Sequence, residues 1–194
     1  MSKVAPRFLS GRIRNLTYRV HWTVLLAFPF GWAFSSSFTA GSLLATSLLL
    51  LIVAHEIGHF VVARFCGLRV VGFEFNILHG KCLLQAPEYE IELALVSWGG
   101  VMAQMLLLLL FAPLYALGDV LPRPLVTLLA PIAAVFVAVN AVYIVVNLWP
   151  KAPLDGANAW KLIPYARSGD LRRFLKARAL ARKVSRRKIS GAHT

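Results

Sequence analysis

Between residues 20 and 63 the only charged side chain is Glu56, and the runs 93–118 and 124–150 carry none. A helix needs about 20 apolar residues to cross the hydrocarbon core of a bilayer, so each of the last two runs predicts one span. The first run is too long for a single crossing. Ser35-Ser36-Ser37 and Gly41-Ser42 form a turn-like cluster that divides it. Four transmembrane helices are expected, near 20–38, 42–65, 93–117 and 125–149.

Residues 67–92, between the second and third spans, change character. Arg69 to Ile77 partly alternates apolar and polar, His79-Gly80 follows, Lys81 to Leu84 resumes an extended pattern, and Pro87 interrupts it. This predicts one or two short strands with a turn near Gly80. Their apolar content places them against or partly within the membrane, where non-helical backbone must be covered by protein or line a wet cavity. The expected fold is therefore an all-α polytopic membrane protein with a short membrane-associated β segment. It divides into a basic N-terminus (1–19), a membrane-embedded core (20–160) and a basic tail (161–194). In the tail, 168–188 reads as an amphipathic helix that Ser168 or Asp170 could cap. Leu171, Phe174, Leu175 and Val184 fall near one face of it.

Composition supports a membrane class. Of 194 residues, 58% are hydrophobic and only 15% charged, against about 25% charged in ordinary soluble domains. That apolar content excludes disorder. Two cysteines, Cys66 and Cys82, exclude a disulfide framework and a four-cysteine zinc site. The net charge of +13 is distributed unevenly: with both termini cytoplasmic, every Lys and Arg but Arg123 falls on the cytoplasmic side. This is the positive-inside bias. The basic leader is long and no small-residue cleavage site follows the first apolar stretch, so a retained anchor is expected. The basic ends suit anionic lipid, at about 1 kcal/mol per basic residue near the surface. No nucleic-acid partner is expected, and a cytosolic regulator on the tail stays open.

One motif carries chemistry. His55-Glu56-Ile57-Gly58-His59 is H-E-x-x-H, set inside the second apolar span. Positions four apart lie on one helix face, so His55 and His59 can address one ion, with Glu56 beside them. Ionisable groups at membrane depth are expensive and mark function; a metal gives these three a common reason. Imidazole suits zinc, which in catalytic sites takes three protein ligands. Asp155 is a candidate third ligand. Pro150 and Pro153 prevent the fourth span from continuing as a regular helix, and Asp155 follows on the side nearer the histidines. Equally, Asp155 could cap a short helix reaching Lys161. His79 is a rival ligand or a turn residue, and His21 reads as an interfacial residue.

These residues resemble the site-2 protease family of intramembrane zinc metalloproteases. That family pairs H-E-x-x-H with a later N-x-x-P-x-x-x-x-D-G segment, which Asn147, Pro150, Asp155 and Gly156 match position by position. The similarity covers about 41–160. A Gly-Pro-x-x-Asn-like site on the third span departs here, with Val101 for Pro and Gln104 for Asn. The resemblance implies His55, His59 and Asp155 as ligands of one zinc per chain and Glu56 as general base toward a zinc-activated water. It also places Asn147 near the site, to hold substrate or developing charge. Larger members carry a PDZ or CBS module, for which no stretch of this chain has room. The implied activity is cleavage of transmembrane segments of single-span membrane proteins near the cytoplasmic face, in a bacterial or archaeal plasma membrane. Two other classes fit parts of the pattern. One is a catalytically silent scaffold or substrate-capture protein of the same fold, against which the intact Glu56 argues. The other is a metal transporter, which tends to show repeated halves; none is visible here.

Overall fold

The computed structural model describes residues 8–77, 79–117 and 120–190. Lys3, Arg7 and the last four residues of the tail lie outside them. The chain opens with a hairpin, β1 (Phe8–Ile13) and β2 (Leu16–His21), then a 3-10 turn over Trp22–Leu26 and the short helix α1 (Ala27–Ala33). A long helix, α2 (Phe38–Phe65), leads to a second hairpin, β3 (Val70–Phe75) and β4 (Gly80–Leu84). The long helix α3 (Glu90–Ala116) follows. Next come α4 (Arg123–Ala133), a π turn over Ala134–Val139 and α5 (Asn140–Asn147), continuous with one another. Three short-to-medium helices close the chain: α6 (Gly156–Ala159), α7 (Leu162–Ser168) and α8 (Asp170–Ser190).

Phe38–Phe65, Glu90–Leu114 and Arg123–Asn147 are long and apolar enough to cross a membrane. The first expected span is different. Its helical part, Trp22–Ala33, reaches only about 18 Å at 1.5 Å per residue. Residues up to His21 belong instead to β2, whose backbone is paired on both sides. Pro29 lies in the first turn of α1 and has no N–H with which to carry the helix back toward residue 20. Ser37 then caps α2, its hydroxyl accepting the Ala40 N–H at 3.1 Å, so Gly41-Ser42 lies inside α2 and not in the turn.

The β segment is also larger than expected. The two hairpins join into one four-stranded sheet in the order β1-β2-β3-β4. β1–β2 and β3–β4 are antiparallel and β2–β3 is parallel, with Tyr18 opposite Phe73 and Arg19 opposite Glu74. An ion pair at 2.9 Å joins Arg19 to Glu74. Gly11 faces Tyr18 in the register, and the Tyr18 ring fills the space a Cβ at Gly11 would need. β1 and β4 are the edge strands, and β4 lies beside α2.

Close helix contact sets the core. A Cβ at Gly58 would fall 2.3 Å from the Gly99 carbonyl oxygen, and one at Gly99 would fall 2.6 Å from that of Gly58. Small residues at such crossings let helix backbones meet, the usual device in membranes. One buried cluster joins Ala63, Cys66, Leu68, Val70 and Val96, with Phe174 of α8 packed on it; a second joins Leu51, Val135 and Phe136. The N-terminal hairpin, the β3–β4 hairpin and the C-terminal helices all gather at the C-terminal end of α2.

Candidate metal centre

The period of α2 puts His55 and His59 on one face, and their rings meet edge to face with centroids 4.5 Å apart. Their Nε2 atoms are 2.9 Å apart. Asp155 completes a triangle: its Oδ2 lies 3.0 Å from His55 Nε2 and 3.3 Å from His59 Nε2. Among the described residues this is the one group of three able to share an ion. Asp155 arrives there through a folded-back loop. α5 stops at Asn147, and Gly156 passes so close that a Cβ on it would lie 2.3 Å from the Leu148 carbonyl oxygen. Two indoles fasten the loop: Trp160 donates to the Leu148 carbonyl (2.7 Å) and Trp98 to that of Ala159 (2.9 Å). Asp155 does stand at the head of α6, but its side chain makes no capping bond. Its carboxylate is directed at the histidines.

The donor chemistry fits zinc. His59 Nδ1 lies 2.7 Å from the Val96 carbonyl oxygen. A carbonyl only accepts, so Nδ1 carries the proton and the neutral ring leaves the Nε2 lone pair for the cluster. Such a partner on the far nitrogen is the usual orienting contact of a ligating histidine. Donors about 2.0–2.1 Å from a tetrahedral zinc sit roughly 3.3 Å from each other; the observed triangle is slightly tighter. Asp155 supplies a carboxylate oxygen, a donor that zinc accepts beside imidazole.

Glu56 is buried on the adjoining face of α2. A Cβ at Gly80 would fall 2.3 Å from Glu56 Cγ, so only glycine lets β4 begin this close. The Cys82 backbone of β4 lies close to the Glu56 carboxylate, and Glu56 Oε2 has no protein partner among the described residues. His55, Glu56, His59, Gly80, Asn147 and Asp155 share the lining of a cleft of about 620 Å³. Asn147 is held in its wall by Gln104, whose side-chain oxygen accepts the Asn147 amide at 3.1 Å. The departure at Gln104 is thereby explained: the longer amide reaches Asn147. Val101 is simply buried.

The other histidines stand apart from the triangle. His79 lines the cleft but belongs to the β3–β4 turn. Its N–H bonds the Asn76 side chain at 3.0 Å, and its ring lies 3.3 Å from the Asn76 amide. Burial, then the nearby Lys81, lowers its pKa. His21 caps the 3-10 turn through Thr23. Sequence reasoning missed the room-making residues. A Cβ at Gly100 would lie 2.4 Å from His55 Cε1, so α3 leaves a notch for that ring. Small residues inside an apolar span were the available signal.

Comparison with known proteins agrees with this arrangement. Residues 43–106, which include the H-E-x-x-H turn, match the model of peptidase family M50. A Mycobacterium tuberculosis protein, provisionally named zinc metalloprotease Rip3, is 26% identical over 175 residues in each of two strains, Erdman and H37Rv. The match takes in 82% of this chain, and the chain spans 44% of the length of those relatives. The solved site-2 protease from Methanocaldococcus jannaschii has a similar fold, with a TM-score of 0.55 at 18% identity. That match covers 82% of this chain and 72% of the solved one. With a metal-competent H-E-x-x-H helix among three membrane-length helices, this chain carries a segment similar to peptidase family M50 on a fold similar to that of a solved site-2 protease.

Proposed function

We propose that the chain is an intramembrane zinc metalloendopeptidase that cuts transmembrane segments of single-span membrane proteins near the cytoplasmic face. The carrying observation is the meeting of His55 Nε2, His59 Nε2 and Asp155 Oδ2 within 3.3 Å at a cleft that Glu56 also lines. Zinc held by these three residues would lower the pKa of a bound water to about 7 and polarise a peptide carbonyl. The remaining work falls to the chain. Val96 fixes the tautomer of His59, and Gly100 leaves space for His55. Glu56 takes a proton on its carboxylate, Oε2 being the oxygen without a protein partner, and returns it to the departing amine. Such proton handling contributes typically about 10²–10⁴-fold. Asn147, braced by Gln104, offers a fixed polar group to the substrate backbone.

A helical substrate hides its carbonyls and must unwind to be cut. β4, as the edge strand beside Glu56, can receive the extended piece and replace its lost backbone bonds. The N-terminal hairpin and the tail gather at the metal-site end of α2, and both are basic. That supports two cytoplasmic termini in a bacterial or archaeal plasma membrane, with anionic lipid around Arg172, Arg173 and Lys176. The test is Glu56→Gln. It should hold one zinc per chain yet lose cleavage of a panel of single-span proteins, while the wild type cleaves in a chelator-sensitive way. Cleavage by the Glu56→Gln form would refute Glu56 as base.

A further inference from the structure

We infer that the cationic C-terminal helix α8 is a strut for the metal centre, with Arg178 and Glu92 as positioning residues that act on His59. The inference rests on the metal-binding reading above. Glu92, in the first turn of α3, is completely buried. Its Oε2 accepts the backbone N–H groups of Glu88 (3.1 Å) and Tyr89 (3.4 Å), and its Oε1 accepts the Arg178 guanidinium of α8. That guanidinium sits over the Phe174 ring, 5.3 Å from its centroid. It also lies beside Gly67, where φ is +77° and a Cβ would come within 3.0 Å of Arg178 Nη1. Phe174 packs on the cluster that contains Val96.

Val96 is four residues beyond Glu92, one turn along the same face of α3. Its carbonyl accepts the His59 Nδ1 proton at 2.7 Å. The tail therefore grips α3 at the start of the turn that orients His59, through a charge at Glu92 and an aromatic ring on the cluster that contains Val96. Lipid attraction accounts for the exposed Arg172, Arg173 and Lys176. It does not account for Arg178, which is drawn inward to a carboxylate with no exposure. Removing one partner of such a pair leaves the other charge buried, which is strongly unfavourable.

The test is zinc affinity of the full-length protein in detergent, measured by competition with a chelator. Loss of contacts that orient a ligating histidine typically weakens metal binding by about 10–100-fold; Arg178→Ala and Phe174→Ala are expected at about the low end of that range. Arg178→Lys, which keeps the charge, should recover part of the loss, and Arg172→Ala on the exposed face should bind as the wild type. Thermal unfolding of the metal-free forms is followed in parallel. A lowered unfolding temperature with unchanged zinc affinity of the folded protein would overturn the inference. Should Arg178→Ala fail to fold, a specific protease site placed at Gly169 lets the tail be cut from the folded, zinc-loaded protein. Faster zinc release on cutting is expected, and unchanged release would overturn the strut. A wild type that takes up no zinc would instead remove the metal-binding reading itself.

Discussion

Asn147 at the end of α5 donates its side-chain amide to the side-chain oxygen of Gln104 in the middle of α3, across 3.1 Å. Gln104 is fully buried, and its backbone carbonyl also accepts the Asn140 amide at 2.7 Å. One residue of α3 thus holds two asparagines of the neighbouring helix, one of them in the cleft wall. Gln104→Leu keeps the bulk and removes the amide. Cleavage should fall by about tenfold, the loss expected when about 1–1.5 kcal/mol of a hydrogen bond is removed. Zinc affinity should stay as in the wild type. Turnover and zinc content, measured on the same preparation, check this.

Gly100 and Gly99 are neighbours with different duties. Gly100→Ala puts a methyl 2.4 Å from the His55 ring, so it should displace a ligand and weaken zinc binding by about tenfold or more. Gly99→Ala meets the Gly58 carbonyl at 2.6 Å. It should push α2 and α3 apart and cost about 1–3 kcal/mol of stability, as overpacking does. Chelator competition and thermal unfolding in detergent separate the two effects.

Removing the metal should destabilise the fold. A ligand at 100 times its dissociation constant stabilises by about 2.7 kcal/mol, and the triangle links α2 to the loop that follows α5. Stripping with a chelator should lower the unfolding temperature, and zinc should restore it. Asp155→Ala should show no zinc-dependent shift, because two histidines on one helix make no cross-link between elements.

The Cys82 thiol faces the same region from β4. Burial, and then the nearby Glu56 charge, push it up to about 12. Because the thiolate is the reactive form, a maleimide should label folded protein at Cys82 very slowly at pH 8 and quickly in denaturant. Glu56→Gln removes a negative neighbour, so the thiol pKa falls and labelling of the folded form at pH 9 should rise. Mass spectrometry of the labelled peptide reads both.

Much of the candidate site's geometry was legible in one dimension. His55, Glu56 and His59 are set by the period of a single helix, which any apolar span of that length would display. Asp155 was reachable because two prolines force the chain to turn where it stands. The β3–β4 strands followed from alternation and a turn. The first span was misread, because strand pairing between β2 and β3 links residues more than fifty positions apart and leaves no periodic mark in either. The contact of Arg178 with Glu92 was hidden for the same reason: in sequence, Arg178 is one basic residue among many.

The sequence by itself determined the membrane class, the helix that carries His55 and His59, and the break that frees Asp155. These depend on apolar length, helical period and proline sterics, all local properties. Only the tertiary structure decided which carbonyl orients His59, which glycines make room for His55 and Glu56, and which amide braces Asn147. Each of those depends on how closely two distant segments approach, and that distance is set by the packing of the whole core.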